Sequence, residues 1–160
     1  MKETGIPPAG KKIKDRKVLL GDESEIKLSE LSGKKGMVLF FYPKDNTPGC
    51  TAESCGMNDN LKDFIKSGFT VVGVSPDSPK SHQKFTEKFS FKYPLISDTE
   101  KKLCTDFGVW AEKSMYGKKY MGVLRTTFLL DPSLKIISVY EKVKPKDHAV
   151  EILSDIKGNK

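Results

Sequence analysis

The run Gly-Met-Val-Leu-Phe-Phe-Tyr-Pro, residues 36–43, is apolar at every position and ends on a proline. A strand with one wet face alternates apolar and polar residues, so an unbroken run fits a strand covered on both sides. A helical pattern follows from Pro48 to about Ser67, with Met57, Leu61, Phe64 and Ile65 on one face and Gly68 ending it. A second apolar run, FTVVGVS, begins at Phe69. Strand, helix and strand of this kind predict a parallel, right-handed βαβ unit inside a sheet with helices on both faces.

The remaining segments are arranged around that unit. Residues 1–16 read as an extended tail. A β-hairpin is expected around Gly21-Asp22, with strands over 18–20 and 25–28 and a helical turn over 29–31. SPKSHQKFTEKF predicts a helix with Ser78 as N-cap and Pro79 at its first position. YPLISD gives a short strand, and TEKKLCTDFG a short helix closed by Gly108. Residues 108–122 read as a long irregular loop. VLRTTFLLD and KIISVYE form two antiparallel strands around Pro132-Ser133, and a last helix runs over about 145–156. The expectation is one α/β domain over residues 1–160, with an N-terminal β-hairpin and a central mixed sheet flanked by helices.

Composition excludes several functions. The chain has 160 residues, 37% hydrophobic and 31% charged, which describes a globular domain with its own core. Net charge is +7, yet only two of the 28 basic residues, Arg16 and Arg125, are arginines, and the lysines alternate with acids. That is a solvated surface, with no nucleic-acid partner expected; the cluster KKIKDRK, residues 11–17, is the one exception held open. No apolar run approaches the roughly 20 residues that span a bilayer, and the start lacks a secretory apolar region. No membrane association and a cytoplasmic location are therefore expected. Three cysteines cannot all pair internally, and neither His82 nor His148 lies near Cys50 and Cys55 in sequence. Neither a disulfide scaffold nor a metal site is expected, and no cofactor, which leaves thiol redox chemistry as the leading explanation.

Around Cys50 the local sequence is specific. Thr47 can cap the helix, Pro48 suits N1, Gly49 takes N2, and Cys50 falls at N3. Unpaired N–H groups and the helix dipole favour an anion there, and a cysteine thiolate is such an anion. Gly49 lets a small substrate approach the backbone. The alternative is an inert, buried cysteine at a helix start. Cys55 follows five residues on. In an ideal helix that places the two Cα atoms about 8.6 Å apart, beyond the roughly 7 Å a disulfide tolerates.

Arg125 is anomalous in the apolar strand VLRTTFLL. Alternation groups it with Val123, Thr127 and Leu129 on one face, where a charge needs an anionic partner. The alternative is an edge-strand arginine reaching water.

PKDNTPGC carries Pro43, Thr47 and Cys50 in the P-x-x-x-T-x-x-C pattern and resembles the peroxiredoxins. Cys50 with Cys55 in C-T-x-x-S-C resembles the Q-type, or bacterioferritin comigratory, subfamily, and the likeness extends through residues 108–131 to cover roughly 18–157. The resemblance implies a thioredoxin-like fold and thiol-dependent reduction of hydrogen peroxide and organic hydroperoxides. It implies that Cys50 is the peroxidatic cysteine and that Cys55 resolves its sulfenic acid as an intramolecular disulfide, which thioredoxin or a similar dithiol then reduces. Thr47, Arg125 and Gly49 would bind the peroxide and Pro43 would shield the sulfur; only the resemblance connects residue 125 to residue 50. It also implies a monomer, with a weak dimer as the alternative. One departure is KKIKDRKVLL, which stands where the family carries an A-P-D-F-like stretch.

Other residues have two readings. Glu53 either orients Arg125 or simply favours the helix N-terminus. Cys104 is a small packed residue or an auxiliary thiol. Trp110 and Tyr116 pack in core or loop, or flank the active site. His82 and His148, in polar helical contexts, are expected to be solvated.

Overall fold

The protein, as a computed structural model, is described over residues 5–141 and 143–158; the part of the N-terminal tail over residues 1–4 lies outside them. The hairpin forms where the turn signal at Gly21-Asp22 places it. β1 (Lys17–Leu19) and β2 (Glu25–Lys27) pair antiparallel with Val18 opposite Ile26. A 3-10 turn, Leu28–Leu31, leads into β3 (Gly36–Phe41). Next come α1 (Pro48–Asp59), α2 (Leu61–Lys66), β4 (Phe69–Ser75), α3 (Pro79–Phe89), β5 (Leu95–Ser97) and α4 (Lys102–Asp106). The chain continues through β6 (Trp110–Met115), β7 (Lys118–Val123), β8 (Thr126–Leu130) and β9 (Ile136–Tyr140) to α5 (His148–Gly158).

The central sheet has five strands in the order β5-β4-β3-β8-β9. β3 pairs parallel with β4 and antiparallel with β8, which makes the sheet mixed, as expected. Alternation along β3 divides the interior in two. Met37, Leu39 and Phe41 face one core with Val72, Val74, Phe128 and Leu130; Val38, Phe40 and Tyr42 face the other with Val71, Leu129 and Cys50. Every residue of β3 is buried, because both faces carry a core.

Two glycines permit close packing. Gly36 at φ +145° sits where a Cβ would overlap the Leu130 carbonyl. Gly68 at φ +90° turns the chain from α2 into β4, as its predicted place after the helix requires.

Three expectations change. The helix over 48–67 is two helices, broken at Asn60, whose side-chain amide donates to the Gly56 carbonyl at 2.8 Å. The loop over 108–122 contains a regular two-stranded ribbon, β6 with β7, in register from Trp110–Val123 to Met115–Lys118. Its turn is Tyr116-Gly117, both at positive φ. Residues 10–13 are an extended tail but not a free one: Gly10 N donates to Ile136 O at 2.7 Å, Ile13 N donates to Leu134 O at 2.9 Å, and Ile13 is buried. The departing stretch KKIKDRK thus still contributes a core residue.

Candidate active site

β3 ends at Phe41, and the chain crosses the carboxyl edge of the sheet before α1 begins at Pro48. Thr47 occupies the N-cap position, and its carbonyl accepts from Thr51 N at 2.8 Å. Cys50 is therefore at N3, as predicted. The capping role of the Thr47 hydroxyl is not observed. It donates instead to the Lys44 carbonyl at 2.9 Å, closing the loop on itself, with Asn46 at φ 61° making the turn.

Arg125 reaches this point through strand register. Phe41 pairs with Thr126 at the end of the β3–β8 ladder, so Arg125, one residue earlier, lies beyond the same edge as residues 43–50. It stands in the break between β7 and β8 rather than inside a strand. Its predicted face holds for Thr127 and Leu129 but fails at Val123, which enters the opposite core because the alternation is interrupted at the break.

The guanidinium makes two contacts. Nη2 donates to Cys50 Sγ at 3.2 Å and Nη1 to Glu53 Oε1 at 2.7 Å. One planar fork thus fixes both side chains on the first turns of α1. Of the two readings of Glu53, the contact selects the orienting one. Glu53 is 1% exposed, and its Oε2 has no partner among the described residues. Burial pushes its carboxyl up to about 7, against the pull of Arg125. Burial disfavours the Arg125 charge, but Glu53 and Cys50 more than offset it, so the guanidinium is held above its ordinary value. Gly49 has a visible packing reason, because a Cβ there would meet Arg125 Nη2 at 3.2 Å.

Cys50 is 1% exposed and Cys55 partly exposed, and all three cysteines are free thiols. Burial, then Asp59, raise the Cys55 pKa above its ordinary value. Pro43 is partly buried at the start of the loop. Cys104 is fully buried in the opposite core, and burial, followed by Asp98, holds its thiol far above the ordinary range. Its surroundings are those of the packed reading. Trp110 packs against that same core with Lys101 Nζ 5.5 Å from its ring centroid, whereas Tyr116 is 98% exposed at the ribbon tip.

The two histidines are corrections, because both are buried. His82 Nδ1 lies 2.6 Å from Asp45 Oδ2 and Nε2 lies 2.9 Å from the Ile96 carbonyl. Tyr42 and Ser81 hydroxyls also donate to Asp45, and Asp45 N donates to Asp77. This network pins the loop between β3 and α1 to α3. Asp45, Asp77 and His82 bring possible ligand atoms within 4.8 Å, but protein groups already engage each residue. His148 Nε2 meets Thr127 Oγ1 at 2.7 Å beside the site, and burial lowers its pKa, Arg125 adding to the effect. Sequence reasoning missed both because α3 is polar on average and His148 directly follows the polar pair Lys146-Asp147; spacing held the signal, since His82 and Phe85 share one buried face.

Comparison with known proteins identifies the family. The AhpC/TSA family model matches residues 9–139. Peroxiredoxin Bcp of Bacillus subtilis is 46% identical over 140 residues, 87% of this chain and 88% of that protein. Peroxiredoxin Bcp of Escherichia coli K12 is 39% identical over 136 residues, 85% of this chain and 86% of that protein. A solved structure of Xanthomonas campestris Peroxiredoxin Q superposes with a TM-score of 0.83 at 41% identity, covering 90% of each chain. These likenesses bear out the thioredoxin-like fold. A buried thiol at the N-terminus of a helix, an arginine fork upon it and this kinship together say that the chain belongs to the AhpC/TSA family, as a peroxiredoxin of the Q-type, bacterioferritin comigratory branch.

Proposed function

We propose that the protein reduces peroxides through Cys50 and resolves the product through Cys55. The carrying observation is the 3.2 Å contact between Arg125 Nη2 and Cys50 Sγ at the third position of α1. The Cys50 thiolate attacks one peroxide oxygen, the O–O bond breaks, and the leaving oxygen departs as alkoxide or hydroxide and takes a proton. Donors near both oxygens lower that barrier. Arg125 and the first N–H groups of α1 supply them. The Thr47 proton is engaged with Lys44 O, so its hydroxyl offers lone pairs to the substrate O–H. Pro43, partly buried at the start of the loop, would shield the sulfur as the family resemblance implies, and Gly49 leaves room for Arg125.

Cys55 then attacks the Cys50 sulfenic acid, forming the S–S bond as the S–O bond breaks and oxygen leaves as water. A dithiol of the thioredoxin type returns both cysteines to thiols. The family resemblance favours a monomer, with a weak dimer as the alternative. The reading predicts peroxide-dependent NADPH oxidation with thioredoxin and its reductase, abolished in Cys50→Ser. Full activity in that variant would overturn it.

A second reading, a thiol–disulfide oxidoreductase of the same fold, has less support, since its usual second cysteine position is filled by Glu53, which is tied to Arg125. The same preparation tested for insulin disulfide reduction separates the two.

A further inference from the structure

Helix α1 is a weak helix by sequence. Gly49, Thr51, Ser54, Gly56, Asn58 and Asp59 are poor formers, so tertiary contacts must hold it. Arg125 holds its first turns. Its second half is held from a different direction, by residues 90–93 between α3 and β5. The Tyr93 hydroxyl donates to the Ser54 carbonyl at 2.8 Å. Lys92 N donates to Asn58 Oδ1 at 2.8 Å, and Asn58 Nδ2 donates to the Ser90 carbonyl at 3.3 Å.

The Ser54 carbonyl belongs to the peptide that joins Ser54 to Cys55. The Ser54 hydroxyl is buried with no partner among the described residues, so its side chain does not anchor this point. Tyr93 does. Its ring is 5% exposed, stacked on Phe91 at 5.4 Å between centroids and edge-on to Phe40 at 5.8 Å, so the hydroxyl is a fixed post. Burial keeps the phenol in its neutral, donating form.

We propose that Tyr93 is a positioning residue for the resolution step: a latch on the Cys55 half of α1 that must release before Cys55 can reach Cys50. The proposal rests on the Cys50–Cys55 reading above. Its consequence is a competition. While the latch holds, the Cys50 sulfenic acid persists, and a second peroxide can oxidise it to sulfinic acid, leaving water or an alcohol. Once the latch opens, Cys55 loses its proton, the S–S bond forms, the S–O bond breaks and water leaves. The hydroxyl of Tyr93 therefore sets how much peroxide the enzyme survives.

The test uses Tyr93→Phe, which keeps the ring and removes one hydrogen bond. Peptide mapping of the wild-type protein after one equivalent of hydrogen peroxide comes first. If no Cys50–Cys55 disulfide is found, the underlying reading fails. If it is found, the peroxide concentration that converts half of Cys50 to sulfinic acid during turnover is compared between wild type and variant. The expected result is a rise of about five-fold, the factor that accompanies loss of one ordinary hydrogen bond. The rate of sulfenic acid formation, measured in a Cys55→Ser background with and without Tyr93→Phe, stays the same; a general structural lesion would change both. Asn58→Ala, which cuts the companion bonds without touching Tyr93, moves the half-point the same way. An unchanged or lowered half-point in both variants, with the disulfide present, overturns the latch.

Discussion

Cys50 and Cys104 lie on opposite faces of the central sheet. Cys50 packs with Val38, Phe40 and Tyr42, and Cys104 with Leu39 and Phe41, so β3 stands between the two sulfurs. No local loosening of α1 joins them. Cys104→Ser should therefore retain peroxidase activity and still form the peroxide-induced disulfide. Because a hydroxyl replaces a thiol in a fully buried apolar site, that variant should lose about 1–3 kcal/mol of stability. Loss of the disulfide in Cys104→Ser, measured by intact mass under denaturing conditions, would reassign the resolving thiol.

Arg125 should not tolerate conservative replacement. Lysine keeps a charge but cannot hold Cys50 and Glu53 at once in one plane. Arg125→Lys should slow peroxide attack by about 10-fold or more and Arg125→Met further, a cost of about 1.5–3 kcal/mol for a charged hydrogen bond. Stopped-flow rates of Cys50 oxidation measure this step separately from resolution. Parental rates in both variants would make Arg125 structural.

Gly49→Ala tests the same contact from the other side. The added methyl would lie 3.2 Å from Arg125 Nη2, so the guanidinium must move away from the sulfur. The first step should slow while the helix persists, since alanine is the better helix former. Circular dichroism and the oxidation rate should thus move in opposite directions.

Much of this architecture is legible in the sequence. The unbroken run over 36–43 announces a strand with two covered faces, and T-P-G-C places the cysteine at N3 without any alignment. The contact between residues 125 and 50 is not legible in that way. It depends on Phe41 pairing with Thr126, a register that the 84 intervening residues do not encode locally. The β6–β7 ribbon was hidden because its turn uses Tyr116 at φ 53°, a residue that gives no turn signal, and because β7 is exposed on both sides from Lys118 to Met121. His82 and His148 misled for the opposite reason: the stretches SPKSHQK and KPKDH that carry them are polar, and only the tertiary partners Asp45 and Thr127 reveal that these imidazoles point inward.

Cys55 should react sluggishly with alkylating agents in the reduced protein. Burial and the neighbouring Asp59 both disfavour its thiolate. In a Cys50→Ser background, Asp59→Asn should speed iodoacetamide labelling of Cys55 at neutral pH by removing the negative charge, and the gain should vanish at a pH where the thiol is fully ionised. Equal rates at all pH values would mean that Asp59 does not face the thiol in solution.

Glu53 makes stability depend on pH in an unusual direction. Its folded carboxyl titrates at about 7 against an ordinary value of 4.5. Between those values the folded state holds a proton that the unfolded chain has lost, so this group stabilises the fold at low pH and that contribution is lost as pH rises through about 7. The size is on the order of 3 kcal/mol at about 1.4 kcal/mol per pKa unit. His148 works the other way. Its pKa is lowered in the fold, so its contribution is present above the ordinary value of 6.5 and is lost as pH falls. The two slopes oppose each other in the wild type and separate in variants. Glu53→Gln should remove the loss of stability on raising the pH towards 7, leaving a protein whose stability against urea rises with pH through the histidine range. Urea midpoints at several pH values between 4.5 and 8 measure this directly. A wild type and a Glu53→Gln variant with parallel pH profiles would show that Glu53 keeps an ordinary carboxylate pKa and that Arg125, rather than burial, governs its charge.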